Sequence, residues 1–287
     1  MKVLAVHAHP DDESIWTGGA LARFARQGAQ VTVLTCTGGE EGEIIGREEI
    51  VADLAEFRQA ELDKALAVLQ VSGLNLSFRD SGMAGSAASQ HPGALVNNVS
   101  AAASAIENHL RAEQPDLVIT YGPDGGYGHP DHIAAHEATH QALSRVHADG
   151  IDPELWWTVL YRPAVVEGQQ QFVLPEGWQW PSQEYLFNGT DEFADIGLVL
   201  DDDESTAKRE AMAAHATQVW IADGRTSRVN PQAVQTEYDD MLVGVYALSN
   251  LYAYPISRTE HYQVPFGLGE HARAQEIQFY NTTNAAE

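Results

Sequence analysis

Apolar residues fall into two rhythms along this chain. Short runs rich in Val, Leu and Ile lie at 2–8 (KVLAVHA), 31–36 (VTVLTC), 74–79 (LNLSFR), 116–121 (DLVITY) and 155–163 (LWWTVLYRP), and each reads as a strand. Helical periods separate them. Residues 18–28 make a short helix stopped by Gly28. From Arg47 to Val71 the apolar positions Ile50, Leu54, Phe57, Leu62, Ala65 and Leu69 recur every three to five residues, predicting a long amphipathic helix. A Gly/Ser/Ala-rich loop at 81–93 precedes a helix over 94–112, whose face carries Leu95, Val99, Ala102, Ile106 and Leu110, and a further helix spans 131–148. Regular alternation of this kind predicts an α/β fold. It would be a Rossmann-like, largely parallel sheet with helices on both faces, joined by right-handed crossovers.

The rhythm changes after Pro163. A strand at 196–200 (IGLVL) and a helix over about 203–219 are set among aromatic loops such as EGWQWPSQEYLF. The expected organisation is therefore a catalytic domain over 1–165 and a smaller C-terminal α+β segment over 166–287, packed on it and shaping the substrate pocket. The tail from about 272 reads as partly disordered.

Two stretches break the apolar pattern with groups that are costly to bury unpaired. The first strand runs straight into His9-Pro10-Asp11-Asp12-Glu13, and the fourth is followed by GPDGGYGHPDHIAAH at 122–136. Ligands of open α/β sheets bind beyond the carboxyl ends of the strands, where strand order reverses. With the order 3-2-1-4-5 that crevice lies between strands one and four, so the two clusters should meet. His9, Asp12 and His132 would suit a catalytic zinc, which keeps three protein ligands and an open position. Such a metal lowers the pKa of its water from 15.7 to about 7. Asp11 could accept the water's proton, His129 could stabilise an oxyanion or protonate a leaving amine, and Asp131 could orient His129. Read singly, PDDES is a helix cap and GHPDH a turn entering a helix; their joint placement favours the metal. His7 is expected to pack, and His132, His136 and His140, at four-residue spacing, to form a partly solvated stripe.

Charge narrows the choice of partner. The formal net charge is −25, from 41 acids against 16 bases, which opposes nucleic acids and anionic membrane surfaces. The chain has no apolar run of 18 residues. MKVLAVHAHP lacks the features of a signal peptide, so a cytoplasmic protein is expected. The single cysteine, Cys36, sits in an apolar strand and reads as a core thiol. TGGEEGEIIG at 37–46 does not match a dinucleotide fingerprint, and its acids would repel a pyrophosphate. His9-Pro10-Asp11 with a distant histidine also fits the facial triad of non-haem iron oxygenases, although those are expected on an all-β scaffold. A metal-dependent binding protein would need the ligands but neither Asp11 nor His129.

AHPDDE (8–13) together with HPDH (129–132) resembles the zinc-dependent de-N-acetylase family typified by LmbE and PIG-L proteins. TCTGGEEGEIIG, RDSGMAG (79–85), GGYGHPDH (125–132), AAHATQV (213–219) and YALSN (246–250) resemble its branch in mycothiol biosynthesis. The likeness spans nearly the whole chain, thinning between about 164 and 193 and after 265. It implies removal of acetate from 1-O-(2-acetamido-2-deoxy-α-D-glucopyranosyl)-1D-myo-inositol, a small-molecule substrate, with one Zn2+ per chain or Fe2+ in its place. It also implies ligation by His9, Asp12 and His132, Asp11 as general base, and His129 held by Asp131 at the tetrahedral intermediate. Tyr127 matches a mobile tyrosine that polarises the carbonyl, and Arg58 and Asp80 match sugar- or inositol-contacting positions. The sister branch, mycothiol S-conjugate amidase, shares the metal site. It carries a lysine soon after DDES, where this chain has Ile15, Trp16 and Thr17.

Overall fold

The computed structural model describes residues 1–236 and 242–265. The chain opens with β1 (Lys2–His7), α1 (Asp12–Arg26), β2 (Gln30–Thr37), α2 (Leu54–Leu69), β3 (Ser72–Phe78), α3 (Val99–Glu113), β4 (Leu117–Tyr121), α4 (Pro130–His147) and β5 (Glu154–Val159). It continues with α5 (Arg162–Gln171), α6 (Gln183–Gly189), β6 (Ile196–Val199), α7 (Asp202–Ala214), β7 (Trp220–Ile221), β8 (Leu242–Ala247), β9 (Ala253–Ser257) and β10 (Thr259–Gln263). Seven strands form one sheet in the order β3-β2-β1-β4-β5-β10-β6, and β7-β8-β9 form a small antiparallel sheet. The pairs from β3 to β5 are parallel, whereas β10 runs antiparallel to both β5 and β6. The expected order 3-2-1-4-5 and the α/β class are present.

The main sheet is buried on both sides, which is why its central strands read as continuous apolar runs. In β1, Val3 and Ala5 join the core beneath α1, α2 and α7, while Leu4 and Val6 join the core beneath α3 and α4. That is the period of two expected of a strand. Cys36 is fully buried in the second of these cores, and burial pushes its thiol up to about 12, as suits a structural cysteine.

Several boundaries differ from the sequence expectation, each for a local reason. The first helix begins at Asp12 rather than Gly18, because Asp12 and Glu13 occupy its first turn, where the helix dipole favours acids. Gly18 and Gly19 lie inside that helix, where packing calls for small residues: a Cβ on Gly19 would come within 2.2 Å of Leu200. The second helix starts only after Asp53, whose side chain caps the Glu56 N–H at 3.0 Å. β5 ends at Val159, and Arg162 and Pro163 open α5 rather than continue a strand. The aromatic loop contains α6, and the helix expected over 203–219 ends at Ala214. Residues beyond 165 add β6 and β10 to the main sheet. The expected disordered tail lies outside the described residues. Among the described residues, no helix is long and apolar enough to cross a membrane.

Candidate active site

β1 and β4 are neighbours, and the order of strands reverses between them, so α1 and α4 both begin at the same crevice. Hydrogen bonds pin the end of β1: the Ala8 N–H donates to Tyr121 Oη at 2.8 Å, and Ala8 O accepts from the Thr37 N–H at 2.9 Å. From there His9, Asp11 and Asp12 enter the crevice from one side, and His129 and His132 from the other. Asp11 caps α1 with φ 130° and ψ −30°, a backbone region that L residues seldom occupy.

Asp12 Oδ2 lies 3.3 Å from His9 Nδ1 and 3.4 Å from His132 Nε2. Its Oδ1 accepts the Trp16 indole N–H at 3.1 Å, so Trp16 touches the carboxylate directly. His132 is fully buried and stacks on Tyr121 at 4.1 Å between ring centroids. Its Nδ1 donates to Gly125 O at 3.0 Å, which turns Nε2 toward Asp12. That buried nitrogen has no hydrogen-bond partner among the described residues. A buried imidazole nitrogen beside a carboxylate and a second imidazole is a donor set that fits a divalent metal.

Potential ligand atoms of His9, His129 and His132 lie within 4.8 Å of one another, as do those of His9, Asp80 and Asp131. The second grouping faces the other nitrogen of His9. His9 Nε2 is 3.3 Å from Asp131 Oδ2 and 3.7 Å from Asp80 Oδ1, the arrangement by which carboxylates orient a ligating imidazole. Asp131 also accepts the Ser81 N–H at 2.9 Å, and Asp80 accepts the Gly82 N–H at 2.8 Å. What meets His129 is the backbone of Asp131, whose N–H donates to His129 Nδ1 at 3.2 Å. His129 thereby caps α4, ahead of Pro130, and the cap assigns its ring proton to Nε2.

Arg58 lies inside α2 as expected and is buried. Its Nη2 approaches Asp11 Oδ2 at 3.2 Å and donates to Pro10 O, while Nη1 donates to Gly39 O at 2.7 Å. Gly39 has φ 67°, and any Cβ there would collide with this guanidinium. Burial raises the Asp11 carboxyl to about 6, with Arg58 opposing the rise. Burial disfavours charge on Asp12 too, but His132 and His9 outweigh it and hold the carboxyl well below its ordinary range. Burial, with the neighbouring imidazoles, lowers His129 to about 2, so it is a neutral donor.

These groups open onto a cavity of about 680 Å³. Tyr127 stands at its edge, half-exposed, with its ring 5.0 Å from that of His132. Gly126 beside it has φ 79° and leaves room for Trp16, which a Cβ would meet at 2.8 Å. Tyr246, Tyr254 and His261 from the C-terminal segment also line it. The histidine stripe on α4 is engaged elsewhere: His136 Nδ1 donates to Tyr121 O at 2.9 Å, and His140 Nε2 accepts from Trp157 at 3.1 Å. His7 is buried against Thr17 Oγ1 at 2.9 Å. Glu13 and His215, bonded to each other at 2.7 Å beneath Asp11, were not singled out by residue chemistry. The only signal for His215 was its place in AAHATQV.

Residues 4–143 match the PIG-L family, GlcNAc-PI de-N-acetylase. A relative from Corynebacterium efficiens is 46% identical over 96% of this chain and 91% of its own. One from Rhodococcus jostii is 42% identical over 91% and 90%. Both are named 1D-myo-inositol 2-acetamido-2-deoxy-alpha-D-glucopyranoside deacetylase. The chain belongs to the PIG-L/LmbE family of de-N-acetylases, a family of amide hydrolases. Among solved structures, a teicoplanin-pathway deacetylase matches with TM-score 0.51 and 23% identity, over 76% of this chain and 84% of that one. GalB, a 4-carboxy-2-hydroxymuconate hydratase from Pseudomonas putida, also matches at TM-score 0.51, with 19% identity over 75% and 82%. A hydratase and a deacetylase thus share the scaffold, and the chemistry has to be read from the site.

Proposed function

We propose that this protein removes the N-acetyl group from 1-O-(2-acetamido-2-deoxy-α-D-glucopyranosyl)-1D-myo-inositol, releasing acetate and the free amine in mycothiol biosynthesis. The observation that carries the chemistry is the orphaned Nε2 of His132 facing Asp12 and His9, with the Asp11 carboxylate beside them. The choice of substrate rests on relatives that match this chain almost end to end. Residues 1–165 carry the catalytic groups, and the described part of the C-terminal segment shapes the pocket beside them.

His9, Asp12 and His132 hold one Zn2+, with Fe2+ as the rival metal. When bound, the metal supplies Lewis acidity to the carbonyl and makes a water more acidic. Asp11 takes the proton of the water that adds to the acetamide carbonyl. The Nε2–H of His129 donates a hydrogen bond to the developing oxyanion, and Asp11 passes the proton it has taken to the nitrogen as the C–N bond breaks. Asp131 and Asp80 hold His9, and Arg58 steadies Asp11. Tyr127 offers its hydroxyl from the cavity edge, where Asp80 and Arg58 also border the sugar-inositol. The enzyme works in the cytoplasm and engages neither nucleic acid nor membrane.

Amine release is measured from the acetylated glucosaminyl-inositol and, in parallel, from an S-conjugate of mycothiol, using Zn2+-loaded, Fe2+-loaded and chelator-stripped protein. Faster metal-dependent release from the sugar-inositol is expected. Faster cleavage of the conjugate would make the protein the detoxifying amidase, and turnover of neither would refute the substrate.

A further inference from the structure

Asp11 sits in a backbone conformation that its own chemistry does not favour, so something must hold it there. Its N–H donates to Glu13 Oε2 at 3.0 Å. The other oxygen of Glu13 accepts from Ser14 Oγ and meets His215 Nε2 at 2.7 Å. Glu13 and His215 are both completely buried. His215 follows the last turn of α7, and its N–H is bonded to Met212 O at 3.2 Å, which fixes the ring's origin. Two residues on, the Thr217 N–H and hydroxyl donate to Glu61 at 3.0 and 2.6 Å. Glu61 lies on α2, three residues from the Arg58 that steadies the Asp11 carboxylate. The short segment 215–217 therefore bears on both ends of Asp11, on its backbone through Glu13 and on its carboxylate through α2. This segment lies beyond the residues matched to the family.

We propose that His215 is a positioning residue for the reaction: through Glu13 it fixes the Asp11 backbone so that the carboxylate points into the site. A buried carboxylate that loses one of its donors would turn to share the others. With His215 in place, Glu13 keeps one oxygen for the Asp11 N–H. The inference rests on the reading of Asp11 as the base.

The test uses metal-loaded enzyme and amine release from the acetylated glucosaminyl-inositol. His215→Leu keeps the volume and removes the donor. It is expected to lower kcat about a hundredfold, the scale of a small misplacement of a reacting group, with KM and metal affinity nearly unchanged. His215→Gln places an N–H where Nε2 stood and is expected to restore most of that loss. In an Asp11→Ala background, where there is no base left to position, His215→Leu should cost less than about threefold. If a Glu13 short of its imidazole donor prevents H215L from folding, the double variant Glu13→Leu/His215→Leu removes both partners and should show the same hundredfold loss. Parental kcat in H215L, or an equal loss in both backgrounds, would overturn the proposal. Near-parental turnover by D11A would instead remove Asp11 as the base, a separate failure.

Discussion

α1 is gripped by two buried polar clusters, and they differ in one respect. The cluster at its middle is satisfied. Glu260 accepts from the Gly19 and Ala20 N–H groups at 2.8 Å each, from Tyr262 Oη at 2.8 Å, and from Lys208 Nζ at 2.6 Å. Lys208 also donates to Ile15 O at 2.8 Å. The cluster at the helix N-terminus is not satisfied. His132 Nε2 and Asp131 Oδ1 are buried without a hydrogen-bond partner among the described residues, and Asp11 is strained. Both clusters carried the desolvation cost of buried charge, but only one was completed by the protein's own groups. A satisfied cluster fixes a fold. One left short of hydrogen bonds in a cavity is where a ligand can complete the set.

The sharpest way to break this contrast is to remove the base. Asp11→Ala should lower kcat by roughly 10²–10⁴ while leaving metal content intact, and His132→Ala should lose both. Elemental analysis beside the amine assay checks this, and retained turnover in D11A would end its role as base. The satisfied cluster should answer in stability instead. Glu260→Leu strands the Lys208 ammonium and should cost about 3–5 kcal/mol, lowering Tm by roughly 10 °C. Its rate per folded molecule should fall far less than that of D11A. Metal addition should act on the open cluster alone. At a hundredfold excess over Kd it should stabilise the fold by about 2.7 kcal/mol, seen as a rise in Tm that H132A abolishes. A rise of equal size in H132A would place the metal elsewhere.

The half of the site built on β1 and β4 was legible because its chemistry follows directly on strong strands. HPDDE and GHPDH sit where a parallel sheet turns into helices, so strand order alone brought them together. The beginning of α1 was misread for the same reason that it functions: acids and paired glycines resemble a turn, and only Leu200, Lys208 and the helix dipole explain why the helix tolerates them. β10 was less legible because its partners, β5 and β6, are distant in sequence and its burial pattern is short. His215 was hidden further still, since its partner Glu13 is 202 residues away. Helical and strand periods report local burial. They do not report which buried acid a distant histidine will meet.

The smallest expected effect extends the contrast to a satisfied histidine away from the crevice. His140 is half-buried, and burial, with His136 beside it, lowers its pKa to about 4. The geometry gives the same direction, because Nε2 must be unprotonated to accept the Trp157 indole N–H at 3.1 Å. As pH falls below about 6.5, the unfolded chain binds a proton at this histidine while the folded chain does not. Stability is therefore full above that pH and is lost progressively as pH falls toward 4. Solvent at a half-exposed ring weakens the effect, leaving about 1 kcal/mol. His140→Gln cannot titrate and should show less loss between pH 7 and pH 5 than the parent, measured as the shift in urea midpoint of the metal-free proteins. If parent and variant lose stability equally over that interval, the acid sensitivity belongs to other groups and the His140–Trp157 bond contributes nothing to it.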